Sequence, residues 1–243
     1  VLAQGFGSPD DLAVAPNGDI LFGDFGNGAL NVLHPGATQP VPLSNGFNEP
    51  EGIVVAKDGA YIVAEQGTNR IIEVDPATGS KKTLRQLVNR TGKDGVDGLG
   101  LDPATGDILI PDAPNGRLMR MSRDGTKLTT IATGYVRPTD MEIEPGGNII
   151  VADELGNTVY RLHPNGTRVK LATIYQPDDI VIAPDGSIYA NSLDGKITRI
   201  DPDNGQTRVI ISGLKLPHGL DFDPQGNLIV AEAGRNRIIR LKT

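Results

Sequence analysis

At one slot in six similar stretches, the sequence carries Asp10, Glu51, Asp97, Thr139, Asp178 and His218. The following position holds Asp11, Gly52, Gly98, Asp140, Asp179 and Gly219. Carboxylates gathered at one opening cannot all stay charged at low cost, so they take up protons, share a cation or are screened by water. Hard oxygen donors without thiolates suit Ca²⁺ or Mg²⁺ better than a soft metal, and of the two Ca²⁺ is the favoured expectation. Glu51, Asp97, Asp178 and Asp10 are therefore the candidate metal ligands. His218 stands where other stretches place an acid, and facing carboxylates should raise its pKa toward or above neutrality. That suits a proton carrier beside an activated water, and equally a charge balance for the ring. Asp97 and His218 form the candidate catalytic pair, with Thr139, Asp140, Asp179 and Asp11 as the candidate substrate-facing residues. An acid ahead of a strand also caps the turn before it, so each of these positions keeps a purely local explanation.

The elements that must position these residues follow from the repeat itself. "SPDDLAVAPNGDILFGD", "EPEGIVVAKDGAYIVAE", "GVDGLGLDPATGDILIPD", "RPTDMEIEPGGNIIVAD", "QPDDIVIAPDGSIYANS" and "LPHGLDFDPQGNLIVAE" align throughout, at spacings of 41, 46, 42, 39 and 40 residues. A period near 40 with short apolar runs and Gly-rich turns predicts an array of four-stranded antiparallel blades. In the first unit the strands read "LAVA", "DILFG", "ALNVL" and "QPVPL", with Asn17 and Gly18 suited to a hairpin at positive φ. Six units make an all-β, six-bladed β-propeller forming a single domain over residues 1–243. The last unit stops one strand short at "NRIIRLKT", and "VLAQ" at the start matches the fourth strands of other blades. The N-terminal strand is thus expected to close the last blade. Inner strands of a propeller line its channel, which places both residue series around the channel mouth. Alternation along a strand should turn only one series inward, and the glycines in the second favour the first.

A second acidic series, Asp24, Glu65, Asp112, Asp153 and Glu232, with Asn191 in the fifth unit, ends the second strands. These residues are expected to tie down the loops that follow, with Arg70 and Arg237 as partners. His34 and His163 fall where third strands turn into fourth strands, on the opposite face, so His218 is alone at the mouth. The longest connection, "RQLVNRTGKDGVDG", should rise over it.

With 30 acids against 23 Lys and Arg, the net charge is −7, the wrong sign for a nucleic-acid partner. No cysteine is present, which excludes disulfides and thiolate metal sites. No apolar run approaches the roughly 20 residues of a membrane span. The chain begins at Val1 without a basic, apolar leader, and export is favoured over a cytoplasmic location. A monomer binding a small-molecule substrate or ligand is expected, with a protein partner as the other option.

The strand pairs of the form "PEGIVVAKDGAYIVAEQGTNRIIEVD" are similar to NHL repeats, and the whole chain resembles the SMP-30/gluconolactonase-like six-bladed propellers. The resemblance implies a divalent metal at the mouth, with Glu51 in "PEGI" and Asp97 in "VDGLGLDP" at the group's acidic positions and Asp178 in "PDDI" in a comparable slot. The group's asparagine ligands do not carry over; Thr139 and His218 stand where an amide is expected. Two functions remain: a metal-dependent lactonase- or esterase-type hydrolase, and a non-catalytic NHL-like module that binds a ligand or protein on the same face.

Overall fold

The computed structural model describes residues 1–88 and 94–242. Residues 89–93, the middle of the long connection expected over the mouth, lie outside the described residues. Six four-stranded antiparallel sheets form the ring. The first blade comprises β2 (Pro9–Val14), β3 (Ile20–Asp24), β4 (Ala29–Leu33) and β5 (Val41–Asn45), so its inner strand begins three residues earlier than "LAVA". Its first turn, Pro16-Asn17-Gly18, uses a single positive φ, at Gly18 (87°). Asn17 instead spends its side chain on Asp19, donating to Oδ2 at 2.8 Å and accepting from the Asp19 N–H at 3.0 Å. This is a three-residue loop closed by a left-handed glycine, where the sequence suggested positive φ at both positions.

The ring closes with the N-terminal strand. β1 (Ala3–Gln4) pairs with the last strand, Arg237–Leu241, Ala3 opposite Ile238 and Gln4 opposite Arg237, and the Leu2 N–H donates to the Ile238 carbonyl at 2.8 Å. Six apolar clusters, one in each seam between neighbouring blades, form the core. The closing seam packs Ala3 against Ile229, Ala231 and Ile238, and joins them to Leu12, Phe22 and Leu33 of the first blade. Deleting residues 1–4 is expected to cost several kcal/mol, because strand pairing and seam packing are lost together. A melting curve unmoved by the deletion would contradict this closure.

Candidate functional site

The six inner strands meet at the channel, and in four of them the first residues do not alternate as a regular strand would. Pro9 pairs with Asp24 but Leu12 with Phe22, leaving one extra residue on the inner strand; the same excess follows Pro50, Pro138 and Pro217. A β-bulge sets two residues opposite one and re-aims the side chains. Both residue series therefore line a mouth cavity of about 400 Å³, together with Arg137, Glu154, Leu155, Leu193 and Asp94. The expectation that only the first series faces the channel is corrected by this bulge.

The second series forms a lower tier that links consecutive blades. Asp11 accepts from the Ile53 N–H of the next blade at 2.7 Å, Asp140 from the Ile180 N–H at 3.2 Å and Asp179 from the Leu220 N–H; Asp221, two residues beyond the series position Gly219, makes the same link to the Val14 N–H at 2.6 Å. Where the chain has glycine the link is backbone to backbone: Gly52 N–H to the Asp97 carbonyl at 2.9 Å and Gly98 N–H to the Thr139 carbonyl at 2.8 Å. A Cβ on Gly52 would sit 2.5 Å from that Asp97 oxygen, so only glycine permits the approach. Asp11, Asp140 and Asp179 thus reach the cavity floor with their carboxylates engaged in closing the ring. Thr139 is 1% exposed and donates to the Pro177 carbonyl at 3.3 Å.

The first series forms the upper tier, and two cations hold it. His218 Nδ1 lies 2.7 Å from Asp178 Oδ2 and 3.5 Å from Asp10 Oδ1. Across the mouth, Arg137 Nη2 is 2.8 Å from Asp97 Oδ2 while Nη1 engages Glu154. Gln66 donates its amide to Glu51 Oε2 at 2.6 Å and also to Asp97 Oδ1. The Arg137 hydrogen bond itself goes to Asp97 Oδ1 at 3.1 Å. Its approach to Oδ2 is an ion-pair contact outside hydrogen-bonding alignment, leaving buried Oδ2 without a hydrogen bond.

Burial and crowding decide the protonation. Burial raises Asp10 to about 6, helped by Asp178 and Asp97 and only partly countered by His218. Burial, then Asp97 and Asp10, holds Glu51 well above the usual carboxylate range. Burial also raises Asp97, against the pull of its hydrogen bond with Glu51 and of Arg137. For His218 burial disfavours the charge, yet Asp178 and Asp10 outweigh it and push the imidazole up to about 10. These shifts favour the imidazolium form of His218 and retention of a proton between Glu51 and Asp97.

The second acidic series does what its position predicted. Glu65 accepts from the Asn48 N–H at 3.0 Å and pairs with Arg70 at 2.5 Å. Glu232 accepts from the Lys215 N–H at 2.8 Å and pairs with Arg237 at 2.5 Å. Asn191 Oδ1 accepts from the N–H groups of Asp178 and Asp179, at 3.1 and 2.9 Å, and its amide donates to the His218 carbonyl. The loops that carry the mouth residues are thereby fixed from behind. His34 and His163 bond Asp19 and Asn148 within their own blades, away from the mouth. Sequence reasoning missed Arg137, Gln66 and Glu154. Arg137 is the cation directly before an anchoring proline in "VRPTD", and Gln66 and Glu154 each follow an acid of the second series; those neighbours were the available signal.

Among the described residues, no three carboxylate or imidazole groups converge as metal ligands. The donor chemistry nonetheless fits a hard divalent cation. Asp10, Glu51, Asp97, Asp178 and Glu154 share one cavity with two cations, Arg137 and His218, and Asp97 Oδ2 has no hydrogen bond. Glu51, Asp97, Asp178 and Asp10 are the residues that would hold it.

The comparisons with known proteins agree with this architecture. A family model described as strictosidine synthase-like, N-terminal, matches residues 165–200. A quinoprotein glucose dehydrogenase B from Acinetobacter calcoaceticus is 25% identical over 236 residues, covering 81% of this chain and 48% of that protein. A gluconolactonase from Zymomonas mobilis is 26% identical over 222 residues, covering 82% and 54%. The chain thus spans about half the length of the curated relatives it matches. A gluconolactonase from Xanthomonas campestris superposes with a TM-score of 0.82 at 18% identity, covering 99% of this chain and 88% of that one. The chain is a six-bladed β-propeller, similar in fold to proteins named gluconolactonase.

Proposed function

We propose that the chain is a lactonase-type hydrolase that opens a small cyclic ester at the channel mouth with the help of a divalent cation, Ca²⁺ ahead of Mg²⁺. The observation that carries this reading is the placement, in one cavity, of His218, held by Asp178 and Asp10, and of the carboxyl pair Glu51 and Asp97, bridged by the amide of Gln66. Similarity to proteins named gluconolactonase supports the reaction class. When bound to Glu51, Asp97, Asp178 and Asp10, the cation supplies carbonyl polarisation and a more acidic water.

The chain's own residues supply the rest. Asp97, whose Oδ2 has no hydrogen bond, accepts the proton of the attacking water as its oxygen bonds to the carbonyl carbon. The ring C–O bond then breaks, and the departing alkoxide takes a proton from His218. Asp178 holds Nδ1, which leaves the Nε2–H for the leaving oxygen. The sequence reading treated His218 as a carrier in either direction; held as an imidazolium, it acts first as an acid. Arg137 keeps part of the negative charge on Asp97 and so keeps it a usable base.

The test is ring opening followed by pH-stat over sugar, aliphatic and aromatic lactones, with and without Ca²⁺. Turnover should require the cation and should be lost in Glu51→Gln. Absence of turnover on every lactone would overturn the hydrolase and move the reading to the non-catalytic binding module.

A further inference from the structure

Both cations that the described residues contribute to the mouth are already shared between two carboxylates. Arg137 lies between Asp97 and Glu154, and His218 between Asp178 and Asp10. Among the described residues, Glu51 has the amide of Gln66 and the carboxyl of Asp97 as its partners. At the edge of the cavity stands Asp94, exposed and without an ion pair or hydrogen bond among the described residues. It lines both the mouth and a neighbouring groove of about 360 Å³. Among the described residues, six acids thus surround the opening against two cations. An incoming carboxylate finds no uncommitted cation among these residues, whereas an incoming ammonium meets Asp94 first.

Resting on the hydrolase reading above, we propose that the mouth selects its substrate by charge: it takes neutral and ammonium-bearing lactones, discriminates against carboxylate-bearing ones, and expels the hydroxy-acid product. Every lactone opening turns a neutral ester into a carboxylate, so the same field that admits the substrate repels the product. A bound divalent cation removes two charges from the excess of acids and leaves the sign unchanged. Asp94, being exposed, acts through the screened outer field, and its effect depends on salt.

The experiment compares kcat/KM for γ-butyrolactones of matched size bearing a trimethylammonium, a methyl or a carboxylate substituent, at low and high NaCl. The ammonium form should exceed the methyl form by about 10-fold, and the methyl form the carboxylate by about 10-fold or more, at low salt. Both ratios should shrink toward one at high salt. Asp94→Lys should lower the ammonium-to-methyl ratio several-fold, and its exposure makes loss of folding no concern. Equal rates for the three forms at low salt, or a preference for the carboxylate, would overturn the charge filter. Binding of the corresponding γ-lactams, which resist opening, is measured in parallel by calorimetry. Lactams ranked by charge without any lactone turnover would sustain the filter and remove the hydrolase; turnover without charge ranking would do the reverse.

Discussion

Replacing His218 by alanine is expected to lower lactone turnover about 100-fold, within the usual range for loss of a general acid, with KM changed little. The imidazolium is held by Asp178 at 2.7 Å and Asp10 at 3.5 Å, so its removal takes away both the proton donor and the charge between those carboxylates. The two losses separate experimentally. A donor role predicts that leaving groups with acidic alcohols, such as aryl esters, lose least, because they depart without a proton. A mere charge balance predicts an equal loss for all esters, or none, and a large fall in melting temperature. Steady-state rates over esters of graded leaving-group acidity on His218→Ala distinguish the two.

The second large effect is a fall in stability as pH rises. Burial, opposed by backbone hydrogen bonds, raises Asp221 to about 6, and burial likewise raises Asp140 to about 6 and holds Asp11, Asp179 and Glu142 well above the usual range. These acids bind protons more tightly in the folded chain than in the unfolded one. Between about pH 4 and 6, where the unfolded chain has released protons that the fold retains, stability therefore falls with rising pH. For Asp221 alone the loss is roughly 3 kcal/mol by pH 8. His218 works in the same direction higher up: its raised pKa gives a contribution fully present below about 6.5 and lost as pH passes about 10. Melting temperature should be about 10 °C or more higher at pH 5 than at pH 9. A curve that rises from pH 5 to pH 9 would contradict the protonated tier.

The fold was legible in the sequence because each blade repeats one local programme. A short apolar run, a Gly-closed turn and a second run recur at fixed spacing, and the unpaired "NRIIRLKT" requires a partner that "VLAQ" provides. The candidate site was legible in position but not in detail. Asp10, Glu51, Asp97, Asp178 and His218 meet at the mouth as the aligned slot implied. What the slot could not convey was the bulge, which brings Asp11 and Asp140 into the same cavity while their carboxylates close the ring. Bulges depend on pairing between strands, and no single strand's composition announces them. Arg137 was harder to place for a related reason. It belongs to the connection before the strand, and only the closed ring brings it against Asp97.

Calorimetric titration of the full chain with CaCl₂ at pH 6.5, in two buffers of different ionisation enthalpy, reads the charge state of the mouth. If the upper tier holds protons because it lacks cations, one Ca²⁺ should bind per chain with release of protons, since it displaces the one shared by Glu51 and Asp97. Binding and proton release should both vanish in Glu51→Gln combined with Asp97→Asn. No heat with millimolar Ca²⁺ or Mg²⁺, or binding that survives both substitutions, would contradict the account.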